Sequence, residues 1–146
     1  MTSGFDEAPD AEGQKLGVEL RKVIAETGLA ISGPNCLGNF NAATQFFSMP
    51  DDRQQKLAHG PAVVLGQSGG IVMGIKRTLE ERGVDTQAAI TSGNEAGLTS
   101  ADYIAYFAGV KDVRVISCYL ESVHDGEAFL EACLLYTSPS PRDLST

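Results

Sequence analysis

A chain of 146 residues and 15.4 kDa has room for one ordinary domain, or a domain with a piece of another, and excludes a complete two-domain enzyme. Hydrophobic residues make up 42% and charged residues 21%, which excludes wholesale disorder. Eleven Lys and Arg against nineteen Asp and Glu give a net charge of −8, with no basic cluster, which argues against nucleic acid or an anionic membrane as the main partner. No apolar run is long enough to span a bilayer, and the acidic start (Asp6, Glu7, Asp10, Glu12) is unlike a signal peptide. Cys36, Cys118 and Cys133 have neither disulfide-framework nor metal-ligand spacing, so no metal site and a reducing, cytoplasmic setting are expected.

In chain order, Thr2–Phe5 reads as the end of a strand. Ala11–Thr27 reads as a helix carrying Leu16, Val18, Leu20, Val23 and Ile24, stopped by Gly28. Leu29–Ile31 is a short strand, Gly33–Gly38 a turn-rich loop, Asn39–Arg53 irregular, and Pro50–Asp52 a linker. A regular alternation follows. Ala62–Leu65 is a strand, and Ile71–Arg82 a helix with Ile71, Ile75 and Leu79 on one face. Ala88–Thr91 is a strand, and Thr99–Ala108 a helix opened by a capping box closed by Asp102. Val113–Leu120 is a strand, and a third helix begins at Asp125. Strand–helix repetition at this spacing predicts an α/β fold with a doubly wound parallel sheet. The string Cys133–Asp143 resembles a translated library adapter, so residues 133–146 are expected to be a non-native tail.

Ligands of open parallel sheets bind beyond the carboxyl ends of the strands. Three polar loops fall there: Gly66–Gly70, Ser92–Gly97 and Glu121–Gly126. The first leads into a helix, so its small residues and the helix N-terminus form an anion site suited to phosphate, with the Ser68 hydroxyl as an added donor. The bland alternative is a βα turn with Ser68 as N-cap. The same string fits Gly-x-Ser-x-Gly, which makes a serine hydrolase with Ser68, Asp102 or Asp112, and His124 a rival reading. Asn94 and Glu95 are a turn at the ligand edge. Glu121 ends an apolar strand and is expected to be partly buried beside a cationic or hydrogen-bonding partner, able to hold a histidine. His59 and His124 read as surface residues and Cys36 as an inert thiol. No Walker loop or Gly-x-Gly-x-x-Gly run is present.

Gly33-Pro34-Asn35-Cys36-Leu37-Gly38, Gln67-Ser68-Gly69-Gly70, Gly93-Asn94-Glu95-Ala96 and Tyr119-Leu120-Glu121 occur in that order. The series resembles the NDP-forming acyl-CoA synthetases, which include ADP-forming acetate–CoA ligase and the succinyl-CoA ligase alpha subunit. The resemblance implies that residues 1–48 are the end of a Rossmann-like CoA-binding domain and 51–132 a truncated flavodoxin-like ligase domain. It implies a ligase that turns acid, CoA and ATP with Mg into acyl-CoA, ADP and phosphate, through an acyl phosphate and a phosphohistidine. Gln67, Ser68, Gly69 and Gly70 would hold phosphate. Gly33, Pro34, Asn35 and Cys36 would border the active site near CoA, with Gly93, Asn94 and Glu95 at the ligand edge. Glu121 would steady a catalytic histidine that lies beyond this segment. The implied partners are a small-molecule acid, CoA and an ATP-grasp domain or subunit, in an oligomer when full-length. The segment alone is expected to be inactive. A protein-lysine acyltransferase on the same scaffold and a non-catalytic CoA- or phosphate-binding module are the alternatives. Phe46, Phe47 and Met49 hint at a larger acid.

Overall fold

The computed structural model describes residues 3–50 and 59–137. The expected 51–52 linker and the last nine residues of the expected tail lie outside them, as does Thr2. Helix α1 (Ala11–Thr27) starts where the Asp10 carboxylate accepts from the Gly13 N–H at 2.8 Å, and ends at Gly28, whose left-handed φ of 66° lets its N–H reach the Ile24 carbonyl. Its buried positions are Gly13 and Gly17, while Leu16, Val18 and Val23 are exposed. The segment before it folds back over the two glycines and pairs Asp6 with Arg21. Neither Ser3–Phe5 nor Leu29–Ile31 is a strand. Ile31 accepts instead from the Leu98 N–H at 2.8 Å, in a loop-to-loop contact.

The stretch read as irregular contains a hairpin, β1 (Asn39–Asn41) and β2 (Phe46–Phe47). The Asn41 side chain turns the chain by accepting from the Ala43 and Thr44 N–H groups. Phe40 drops into the core and meets the Phe47 ring edge-on. These strands are too short and too Asn-rich to show a period in sequence.

The alternating half follows the expected order: β3 (Ala62–Gly66), α2 (Gly69–Glu81), β4 (Thr86–Thr91), α3 (Ser100–Ala108), β5 (Val115–Tyr119) and α4 (Gly126–Thr137). The sheet runs β2-β1-β4-β3-β5. β3 is parallel to both β4 and β5, so the three strands of this half take the 2-1-3 order that opens a flavodoxin-like sheet. The expected all-parallel sheet is extended on one side by β1 and β2, which pair antiparallel. Val63, Val64 and Leu65 of β3 have no exposed surface, and each contributes on the order of 2 kcal/mol through burial. Val63 and Leu65 face α3 and α4; Val64 faces α2 and Phe40.

On α2 the buried side chains are Val72 and Lys76. Ile75 and Leu79 are half-buried and pack against the same core, while Ile71 is exposed; the three border a shallow groove on the outer side of the helix. The Lys76 ammonium lies 2.6 Å from the Glu80 carboxylate and 4.9 Å from the centre of the Phe40 ring. Thr86 donates to the same Glu80 oxygen at 3.0 Å. α3 opens with the expected capping box, Asp102 accepting from the Thr99 N–H at 2.7 Å. α4 continues past Ala132 to Thr137, and Cys133 and Tyr136 pack against the core. Among the described residues no helix is long and apolar enough to cross a membrane.

Candidate functional site

The β3–α2–β4 crossover leaves β3 toward one edge of the sheet, and the β4–α3–β5 crossover returns past it to the other. α2 and α3 therefore cover opposite faces, and a crevice opens beyond the adjoining ends of β3 and β5. A cleft of about 390 Å3 occupies that place. It is lined by Gln67, Ser68 and Gly69 after β3, Glu121 after β5, and Ser3, Asn35, Cys36 and Leu37 from the first third of the chain. Three of the four sequence motifs thus meet in one cavity.

Ser68 precedes α2 with extended backbone, φ −89° and ψ 112°, but its hydroxyl does not cap the helix. The N–H groups of a helix's first turn have no intrahelical partner, and this turn carries no acidic residue. The positive end of α2 therefore faces the cleft without a counter-charge of its own. Gly69 is required by packing, since a Cβ there would sit 2.4 Å from Leu37 Cγ. A Cβ on Gly70 would meet nothing within 4 Å. The approach to the helix end is open on that side.

Gln67 is placed differently from its neighbours. Its side-chain Oε1 accepts from the N–H groups of Glu121 at 2.7 Å and Ser122 at 3.0 Å, and its Nε2 donates to the Ser122 carbonyl at 2.8 Å. The group ties the exit of β5 to the exit of β3. Sequence reasoning missed this role; the available signal was an amide directly after a buried strand, where polar groups need partners.

Glu121 is exposed in the cleft, and among the described residues it has no ion pair. This corrects the expectation of a partly buried, partnered carboxylate. β5 lies at the sheet edge and is only half covered, so the residue after it opens into the cavity.

The loop holding Asn35 and Cys36 is stitched to the loop after β4. The N–H groups of Asn94 and Ala96 donate to the carbonyls of Pro34 and Gly33, each at 2.9 Å, and Asn35 Nδ2 donates to Asn94 Oδ1 at 3.2 Å. Gly93, at φ 59°, lies at the closest approach, where a Cβ would be 2.1 Å from the Pro34 carbonyl oxygen. Asn94 reaches on to Glu7. Glu95 turns inward: it is 7% exposed, and its carboxylate accepts from the hydroxyls of Ser92, at 2.7 Å, and Ser100. It does not line the cleft. Phe46, Phe47 and Met49 do not line it either; Met49 is core and the two phenylalanines belong to the hairpin.

The hydrolase reading finds no assembled triad. The Asp102 carboxylate is held by the Thr99 N–H and hydroxyl. His124 borders a separate, much smaller cavity beside Glu95 and Ser100. His59 is exposed. Among the described residues no cluster of His, Cys, Asp and Glu has the makings of a metal site.

Of the cysteines, only Cys36 reaches the cleft. Desolvation beside α4, with the Cys133 thiol adding to it, pushes the Cys118 thiol up to about 11. Cys118 is exposed at the sheet edge, so reagent reaches it, and its alkylation by iodoacetamide is expected to be slower at pH 8 than that of an ordinary thiol and to climb with pH until it levels off near 11, which peptide mass mapping would follow.

A family profile described as the succinyl-CoA ligase like flavodoxin domain matches residues 59–139. A trans-feruloyl-CoA synthase from an unknown prokaryotic organism is 33% identical over 134 residues, covering 90% of this chain and 19% of the relative. The ADP-forming acetate–CoA ligase I of Archaeoglobus fulgidus is 33% identical over 133 residues, covering 89% and 18%. The crystal structure of PH0766 from Pyrococcus horikoshii superposes with a TM-score of 0.78 at 28% identity, covering 90% of this chain and 30% of that one. The chain spans about a fifth of the length of these curated relatives.

Proposed function

The chain belongs to the succinyl-CoA ligase-like flavodoxin family, and on that premise we propose that it supplies the phosphate-holding half of the active site of an ADP-forming acid–CoA ligase. The observation that carries the reading is the bare N-terminus of α2 opening, with the uncommitted Ser68 hydroxyl, into a cleft that also holds the Glu121 carboxylate. A phosphate at the helix end and a carboxylate in the same cavity repel each other. A group that is cationic, or donates to both, reconciles them. Among the described residues none of those lining the cleft is Lys, Arg or His, and in this reading the group comes from outside them. A histidine fits: one ring nitrogen carries or meets the phosphoryl group while Glu121 accepts from the other and fixes its tautomer.

In this reading residues 1–48 close a CoA-binding domain, and Asn35 and Cys36 border the cleft on the side where CoA arrives. Residues 51–132 form the ligase domain proper. ATP with Mg2+ belongs to an ATP-grasp part, and the catalytic histidine to a further segment. The overall reaction, acid with CoA and ATP giving acyl-CoA, ADP and phosphate, requires all of them. The purified chain mixed with acetate, CoA, ATP and Mg2+ is expected to release no ADP; steady ADP and acyl-CoA formation would overturn this division of labour.

Ser68→Asp tests the anion site. An aspartate at this position caps α2 and places a fixed negative charge where phosphate would sit. The melting temperature is expected to hold or rise slightly, while phosphate affinity falls by about tenfold or more. Unchanged phosphate affinity in a titration calorimeter would remove the site.

A further inference from the structure

We propose that Gln67 is the positioning residue of Glu121 and not itself a ligand of the anion. The inference rests on the reading above in one respect only, that Glu121 is the carboxylate that matters in the cleft.

Gln67 is 9% exposed, and its bonding capacity is almost spent within the fold. Its backbone N–H donates to the Tyr119 carbonyl at 3.2 Å, which extends the β3–β5 ladder by one rung. Its Oε1 has two lone pairs, and both are used, by Glu121 N–H and Ser122 N–H. One Nε2 hydrogen goes to the Ser122 carbonyl. Ser68, one residue on, has its hydroxyl uncommitted to the helix, and Gly70 has open space around it. The loop thus divides its labour. Gln67 faces the protein and sets where β5 ends; Ser68 and the α2 amides face the cleft.

The site asks for a side chain that accepts two N–H groups and donates one, at the reach of two methylenes. Glutamine does this. Asparagine lacks the reach, methionine lacks the polar atoms, and an ionised glutamate lacks the donor. A protonated glutamate supplies all three bonds. Among the described residues the other titratable groups lining the cleft are Glu121 and Cys36; the Glu121 carboxylate would oppose ionisation of a carboxyl introduced at position 67, while the Glu121 and Ser122 N–H groups would bond to its ionised form as they do to the amide oxygen.

The test is NMR spectroscopy on the whole chain. In the native protein, through-hydrogen-bond couplings are expected between the amide nitrogens of Glu121 and Ser122 and the Gln67 Cδ carbon. Their absence would overturn the proposal with no variant needed. Gln67→Met is expected to lower the hydrogen-exchange protection of the Glu121 and Ser122 amides about tenfold while that of Leu65 holds. Gln67→Glu keeps an oxygen that accepts both N–H groups and is expected to restore most of the protection that Q67M loses, a rescue that side-chain volume alone would not give. Equal protection in Q67M and the native chain would also overturn the proposal. With inorganic phosphate as the probe, the shifts of the Gly69 and Gly70 amides are expected to persist in Q67M; their selective loss would make Gln67 a ligand after all. A native chain with the couplings but no phosphate response would sink the phosphate reading and leave Gln67 as the residue that positions Glu121.

Discussion

Replacing Glu80 with alanine is expected to cost about 3 kcal/mol of folding stability. Lys76 is buried almost completely on α2, under Phe40, and Glu80 is the carboxylate that neutralises it at 2.6 Å. Removing that carboxylate strands a charge in an apolar layer formed by Val64, Val72 and Ala89. It also leaves the Thr86 hydroxyl without its acceptor. The opposite change, Lys76→Met, removes the buried charge and keeps the volume. Glu80 then remains partly open to water and still bonded to Thr86, so the cost is expected to be about 1 kcal/mol or less. Urea melts of the two variants check the pair. Equal losses would mean that the ion pair, and not the burial of one partner, sets the energy.

The second large effect is expected at Gly93. Gly93→Ala puts a side chain at φ 59°, and its Cβ would lie 2.1 Å from the Pro34 carbonyl oxygen. The oxygen belongs to the backbone and also accepts from the Asn94 N–H, so it cannot move away without breaking that bond. Strain and displacement together are expected to cost about 3 kcal/mol. The damage is directional. It separates the loop bearing Asn35 and Cys36 from the loop after β4, and so opens one wall of the cleft. Limited proteolysis should then cut within residues 29–38 first, while the fragment from β3 onward persists. Cleavage spread evenly over the chain would contradict this junction.

The alternating half of the fold was legible because it obeys simple periods. Residues Ala62–Leu65 and Ala88–Ile90 are continuous apolar runs, as expected of strands covered on both faces, and Gly83 and Thr99 punctuate the helices. The hairpin at Phe40 and Phe47 was not legible, because an Asx turn and one core phenylalanine leave no repeat. The face of α2 that carries Ile71, Ile75 and Leu79 was read only in part: Ile75 and Leu79 pack against the core at its border, and Ile71 is exposed. The deepest positions are Val72 and Lys76, since a lysine with a carboxylate one turn on can sit inside where hydropathy alone would place it outside. At the site, glycine and serine spacing located the helix N-terminus, and the end of the last β-branched run located Glu121. What the sequence hid was which way each polar group turns. Glu95 and Gln67 look as available as Ser68 in the string, but hydroxyls and backbone N–H groups inside the fold already occupy them. Such choices depend on neighbours as much as 55 residues away along the chain.

In the proposed function the cleft between β3 and β5 receives a phosphoryl group beside Glu121. The most direct measurement follows the backbone amides of the whole chain by NMR during titration with inorganic phosphate and, separately, with N-phosphoimidazole as a phosphohistidine mimic. Saturable shifts of Gly69, Gly70 and Ile71 are expected with both ligands. Shifts at Glu121 and Ser122 are expected with the imidazole compound alone, and both responses are expected to be lost in Ser68→Asp. Saturable shifts elsewhere, with the α2 N-terminus silent to both ligands, would contradict the proposed function.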